Sequence, residues 1–280
     1  MKITALVENR SESDLKPVHG LALYIETQSH KILFDLGPDD TIFENAKKRG
    51  ISLADVDTVI LSHGHSDHGG ALEHFLEMNK TAKIYVQRKA FEPHYSKLFF
   101  WKVSIGIEEK LRAHPQIVLL EGDYRIDDEL YLFVVPQTDK CRSSANDQLY
   151  SEDGRDDFSH EQNLIIQESE TALIMGCGHA GIVNILERAK DFHPKFCIGG
   201  YHLFSPFTKK TVSEALLYEI ANELRRYPDT HFFTCHCTGR KAYDYLCGKV
   251  KNMNYLSCGE AIYTGIDQTN AYGEFDSRER

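Results

Sequence analysis

Ten residues, Leu61-Ser-His63-Gly-His65-Ser-Asp67-His68-Gly-Gly70, constrain this chain more than any other stretch. They follow an apolar, β-branched run at 58–61 that reads as a strand. They precede a segment at 70–78 whose Ala71, Leu72, Phe75 and Leu76 share one helical face. A tight strand-to-helix loop can turn the three histidines and Asp67 toward one region. His63 and His65 project the same way from extended backbone, and Asp67 and His68 meet a second point on the turn into the helix. Gly64, Gly69 and Gly70 let the backbone bend. Imidazole and carboxylate at this spacing suit zinc, iron or manganese. A loop of merely solvated histidines would not need such a concentration of metal-ligating types.

Other short apolar runs predict strands over 3–7, 21–26, 31–35, 83–86, 117–120, 130–135, 164–167, 172–175, 232–235 and 255–258. Between them lie amphipathic segments. The capping-box spacing of Thr41 and Glu44 opens a helix that stops before Gly50. A second such spacing, Thr211 to Glu214, opens a long helix to Arg226. Shorter helices are predicted over 182–190 and 243–250. Grouped strands with interspersed helices fit an α/β (α+β) domain of two packed sheets covered by helices, spanning 1–266. Residues 88–160 break the pattern. An aromatic-rich segment from Phe91 to Trp101 and a polar loop over 138–159 suggest a lid, an insertion or a subunit contact. Residues 267–280 read as a polar tail.

Composition bounds the function. Against 32 Lys and Arg stand 42 Asp and Glu, a net charge of −10, so no basic field gathers nucleic acid or an anionic membrane surface. No apolar window reaches the length of a membrane helix, and the first residues lack the apolar core of a secretory signal. Seven cysteines without framework spacing read as reduced thiols, and the expected location is cytoplasmic. Strand alternation predicts that Cys235 and Cys237 face away from His236, as core or inert thiols. Histidine is the outlier, with 14 copies.

The cluster resembles the His-x-His-x-Asp-His signature of the metallo-β-lactamase superfamily, and the likeness runs along nearly the whole chain. Ile32-Leu-Phe-Asp35-Leu-Gly37 is similar to the first motif of that superfamily. Met175-Gly-Cys-Gly-His179-Ala-Gly is similar to the third, and Phe233-Thr-Cys-His236-Cys-Thr-Gly239 to the last. The resemblance implies a four-layer αβ/βα sandwich with the metals at one edge. His63, His65 and His179 would hold one cation, and Asp67, His68 and His236 the other. Asp35 would orient ligand histidines by accepting their N–H groups. One departure stands out. Phe196-Cys-Ile-Gly-Gly200-Tyr-His202-Leu203 carries glycine where the superfamily usually offers an aspartate bridging both metals. His202 then replaces that ligand, touches substrate, or simply packs on its loop.

His19-Gly20-Leu21, Gly-Gly-Tyr-His202-Leu and His236-Cys-Thr-Gly together resemble the branch named 7,8-dihydropterin-6-yl-methyl-4-(β-D-ribofuranosyl)aminobenzene 5′-phosphate synthase. On that likeness His19 lies at the metal edge; otherwise it is an ordinary loop histidine. Asp157-Phe-Ser-His160-Glu161-Gln162 is similar to a segment of the same branch, able to reach the pocket or to form a solvated turn. Of the remaining histidines, His30, His74, His94, His114, His193 and His231 read as background, with His94 in the aromatic stretch the exception to check.

These residues imply one or two divalent ions, zinc first, with iron or manganese as alternatives. The function implied is hydrolysis of a small ester or phosphoester by metal-activated water, with Asp67 orienting the water and accepting its proton. A phosphoribosyl–aminobenzene synthase on the same site is the first alternative. An iron-based redox or ligand-binding protein is the second. The expected partner is a small molecule, with or without a phosphate group, with neither nucleic acid nor membrane involved; a homo-oligomer is compatible with the sequence.

Overall fold

A computed structural model describes residues 1–98, 101–136 and 138–265 of the chain. The polar tail expected at 267–280 lies outside the described residues.

Two seven-stranded sheets dominate. The first runs, edge to edge, Ala261–Tyr263, Lys2–Val7, Ala22–Glu26, Lys31–Phe34, Thr58–Ile60, Lys83–Gln87 and Ile117–Leu120. The second runs Met253–Tyr255, His231–Thr234, Phe196–Gly199, Thr171–Ile174, Asn163–Gln167, Leu130–Phe133 and Tyr124–Arg125. Each mixes an antiparallel part with a parallel one. In the first, Lys31–Phe34 through Ile117–Leu120 run parallel; in the second, Thr171–Ile174 through Met253–Tyr255 do.

Alternation along the strands builds three cores. Ile32 and Phe34 of the first sheet and Leu164, Ile166, Ala172 and Ile174 of the second pack between the sheets. Leu33 and Val59 face outward onto the helices Thr41–Lys48 and Leu72–Met78. Ile165, Leu173 and Cys197 face the helices Ile182–Ala189, Glu214–Leu224 and Arg240–Cys247. The result is helix, sheet, sheet, helix, the expected four-layer sandwich. With both faces of each sheet covered, the strands read as near-continuous apolar runs.

Local differences from the sequence reading have physical causes. The helix Thr41–Lys48 starts one residue after Asp40, and no side-chain cap bonds form, so the Thr41–Glu44 spacing is not a capping box. For the helix Glu214–Leu224 the cap is Ser213, whose hydroxyl accepts the Leu216 N–H, not Thr211; Thr211 instead ends the strand Lys210–Thr211. The last sheet-two strand is Met253–Tyr255, shifted from 255–258. Within 88–160, the strands Tyr95–Leu98, Trp101–Ser104 and Leu149–Tyr150 form a small sheet beside the sandwich.

Every strand that carries a candidate ligand ends at the same edge. Lys31–Phe34 leads into Asp35, Thr58–Ile60 into His63, Thr171–Ile174 into His179, Phe196–Gly199 into His202 and His231–Thr234 into His236. Carboxyl ends of parallel strands are the usual place for a site in such sheets. The intersheet core fixes their separation. Truncating Ile166→Ala there is expected to cost about 2–5 kcal/mol of stability, measured by urea unfolding.

Candidate metal centre

Asp35 organises the edge. Its side chain is fully buried and its backbone is left-handed, at φ 63°. One carboxylate oxygen accepts the Ser62 N–H at 2.7 Å. The other accepts the Ser62 hydroxyl at 2.7 Å and His68 Nδ1–H at 2.6 Å. Because the Ser62 hydroxyl donates to Asp35, it accepts from His63 Nδ1, 2.7 Å away. His63 and His68 are therefore both protonated on Nδ1. Each directs Nε2 into the site.

The other histidines are pinned in the same sense. His179 Nδ1 lies 3.0 Å from Asn146 Oδ1, and His236 Nδ1 lies 2.9 Å from Asn9 Oδ1. An amide oxygen only accepts, so both rings also donate from Nδ1. Nε2 of His63, His65 and His179, and both ring nitrogens of His202, are buried without any hydrogen-bond partner. Buried polar atoms are rarely left so.

Two donor sets result. His63, His65 and His179 bring ligand atoms within 4.8 Å of one another. In the second set, Asp67 Oδ2 is 3.3 Å from His236 Nε2 and 3.9 Å from His68 Nε2, and the two Nε2 atoms are 3.3 Å apart. The structure thus brings together all six residues that the family resemblance grouped in two threes. His202 joins them, its ring centroid 4.3 Å from that of His179. His19 is half exposed and sits 3.4 Å from Asp67 Oδ2, on the rim of the site.

Burial and mutual repulsion hold His63, His65 and His179 well below the ordinary histidine pKa, so their lone pairs are available at neutral pH. Burial and the neighbouring His236 push His19 down to about 4. For His68, burial is outweighed by Asp35 and Asp67, which hold it up at about 9. Burial would raise Asp67, but His68, His236 and His19 hold its carboxyl well below the usual range.

Glycine at the fourth strand end is a steric requirement. A Cβ on Gly200 would lie 2.5 Å from Cys237 Sγ and 3.1 Å from the Gly176 carbonyl, and one on Gly199 would strike the Met175 carbonyl. No aspartate fits there. Cys237 itself corrects the sequence reading. His236–Thr238 forms a short 3-10 turn, with His236 at φ 49°, so strand alternation ends and Cys237 lines the cavity beside His236. Cys235 does stay in the intersheet core.

Segment 88–160 buttresses the ligand loop. His160 Nδ1 accepts the Gly64 N–H at 3.0 Å, and Asp156 Oδ2 lies 3.2 Å from His160 Nε2 and 3.1 Å from His94 Nδ1. Burial would raise the Asp156 carboxyl, but bonds from His160 and His94 hold it far below its ordinary range. The Ser66 N–H donates to the Ile105 carbonyl at 2.7 Å, and the Ile107 N–H to the Gly64 carbonyl at 3.1 Å. His94, the exception among the background histidines, thus belongs to this network, while Asp156 carries no signal in the sequence beyond standing four residues before His160. Glu8 carries no motif in the sequence. It is buried and accepts the His236 N–H at 2.7 Å, tying the first strand to the last ligand.

A cavity of ≈ 270 Å³ opens over the centre. Ile105, Ala145, Leu149, Pro206 and Phe207 form its apolar wall, and His65, Asp67, His202 and His236 its polar end. No Lys or Arg lines it among the described residues. No helix of the described residues is long and apolar enough to cross a membrane.

Fold and site together resemble those of the metallo-β-lactamase superfamily, and comparison with known proteins shows the same fold. Residues 15–139 match the family described as the metallo-beta-lactamase superfamily. An uncharacterized protein of Methanocaldococcus jannaschii is 28% identical over 93% of this chain and 99% of its own. The 7,8-dihydropterin-6-methyl-4-(beta-D-ribofuranosyl)-aminobenzene-5'-phosphate synthase of the same organism is 25% identical over 94% of this chain and 96% of its own. Among solved structures, Tm1679, described as a metal-dependent hydrolase of the beta-lactamase superfamily, superposes with a TM-score of 0.78 at 24% identity. It covers 94% of this chain and 99% of its own. An isothiocyanate hydrolase from Delia radicum gut bacteria gives 0.55 at 13% identity, over 94% and 99%. These likenesses bear out the resemblance read from the sequence, both to the superfamily and to its synthase-named branch. The fold implies binding of divalent metal.

Two outcomes follow. Asp35→Ala, which frees both His63 and His68 from their tether, is expected to weaken zinc binding about 10–100-fold, read by competition with a chromophoric chelator. A cation must also displace the proton that Asp35 and Asp67 hold on His68 below about pH 9. Apparent zinc affinity should therefore rise with pH up to about 9. Proton release on binding should be visible by calorimetry in buffers of different ionisation enthalpy.

Proposed function

We propose that the protein is a metal-dependent hydrolase of a small molecule, with two divalent cations, zinc by preference, at the sheet edge. The observation that carries this reading is the set of buried, unpartnered Nε2 atoms of His63, His65 and His179. Buried lone pairs converging without a donor fit a cation and little else. His63, His65 and His179 would hold one ion, with His202 beside them. Asp67, His68 and His236 would hold the second. Imidazole with one carboxylate is a donor set suited to zinc.

When bound, such ions lower the pKa of water and stabilise negative charge developing on a substrate oxygen. The chain supplies the rest. Asp67 Oδ2, at the polar end of the cavity and ionised at neutral pH, orients the attacking water and accepts its proton. His19, kept neutral and 3.4 Å from Asp67, is placed to take that proton toward solvent. The apolar wall of Ile105, Leu149 and Phe207 excludes bulk water and seats the substrate's apolar part.

Two features favour hydrolysis of an uncharged ester or related acyl compound over phosphoribosyl transfer, despite the name of the 25%-identical relative. The cavity is small, and no Lys or Arg among the described residues lines it to hold a phosphate. Iron redox chemistry is less well supported, because the donor at position 65 is an imidazole rather than the acidic residue usual in diiron members of the superfamily. The expected setting is the cytoplasm.

A screen of small esters, thioesters and lactones against phosphoesters tests the reading. Turnover of an uncharged ester is expected. It should disappear on chelation and return with added zinc. Asp67→Asn should lower kcat about 10²–10⁴-fold. Turnover that survives both chelation and Asp67→Asn would contradict the proposal.

A further inference from the structure

We propose that Cys177 is itself a metal ligand, a thiolate that bridges the two donor sets in place of the missing aspartate. The inference rests on the metal site proposed above and adds a donor to it. The Cys177 side chain is buried, with Sγ 3.2 Å from His68 Nε2. Its sulfur lies within 4.8 Å of ligand atoms of His63 and His68, of His179 and His202, and of His236 and Cys237. Those residues come from both donor sets, so one sulfur reaches both.

Two independent observations point the same way. Both ring nitrogens of His202, a residue only 7% exposed, lack a partner in the cluster they form with Cys177 and His179. The space where a bridging carboxylate would begin is also taken. A Cβ on Gly200 would sit 2.5 Å from Cys237 Sγ and 3.6 Å from Cys177 Cα. The Cys237 thiol stands where that side chain would begin, and the Cys177 backbone borders the same space.

Cys177 precedes His179 by two residues, the same spacing as His63 and His65. On binding, its S–H bond breaks, the proton leaves to water and a sulfur–metal bond forms, with no change of oxidation state. A thiolate restores the single negative charge that an aspartate would bring between two cations. It also selects zinc or cobalt over the harder manganese or magnesium. Cys237, whose Sγ lies 3.5 Å from the Cys177 carbonyl and accepts the His202 N–H at 3.2 Å, positions both neighbours.

The test loads the full-length protein with cobalt(II) alone and records its absorption spectrum together with its cobalt content. Wild type is expected to show a thiolate-to-cobalt charge-transfer band in the near ultraviolet. Cys237→Ser should retain it. Cys177→Ser should lose it and bind cobalt at least about tenfold more weakly. X-ray absorption of zinc-loaded wild type needs no variant to fold, and should include sulfur at about 2.3 Å. Bound metal with neither the band nor a sulfur shell would overturn the thiolate and leave the hydrolase reading standing. A band that persists in Cys177→Ser would equally overturn it. Failure to bind cobalt at all would overturn both.

Discussion

The buried carboxylate of Asp35 is the constraint on which the site depends. Three hydrogen bonds converge on it, from the Ser62 amide, the Ser62 hydroxyl and His68 Nδ1. Through the Ser62 hydroxyl it also sets the tautomer of His63. One side chain thereby turns a histidine toward each donor set. Such a group is tolerable in a core only when its hydrogen bonds are complete. The backbone contributes as well. Asp35, His202 and His236 all adopt left-handed conformations, with φ of 63°, 46° and 49°. Non-glycine residues rarely do so, and strain of this kind gathers at functional sites where the surrounding structure enforces it.

Enforcement comes from both sheets. Glu8 and Asn9, at the end of the strand Lys2–Val7 in the first sheet, hold the backbone and the ring of His236 beyond the second. In return, the Gln162 N–H beside the strand Asn163–Gln167 donates to the Ser62 carbonyl at 2.7 Å. The intersheet core sets the spacing, and these bonds lock it at the rim. Segment 88–160 adds a third wall through Ile105, Ile107 and the His94–Asp156–His160 network. It acts on the ligand loop directly, in addition to covering the cavity.

Much of this was legible in the sequence. The unbroken apolar runs Ile32-Leu33-Phe34 and Ala172-Leu173-Ile174 announce strands buried on both faces. The apolar runs ending in Asp35, His63, His179 and His236 announce a shared edge. What the sequence hid depends on three-dimensional closure. Thr41 and Thr211 have cap spacing, yet Asp40 and Ser213 take the cap positions. Cys237 escapes alternation because the strand gives way to a 3-10 turn at His236. Asn9, Asn146 and Asp156 carry no motif, and become visible only as partners of ligand or loop residues far away in sequence. Cys177 carries no signal of its own in the sequence, standing inside the motif whose histidine is His179.

The central claim is that these convergent, unpartnered imidazoles hold metal. Elemental analysis of the protein purified without added metal, compared with a His63→Ala, His68→Ala double variant shown to be folded by circular dichroism, tests it most directly. The account expects between one and two transition-metal ions per wild-type chain and a loss of at least one in the variant. A folded wild type that carries no metal, and takes up none from a zinc solution, would contradict it.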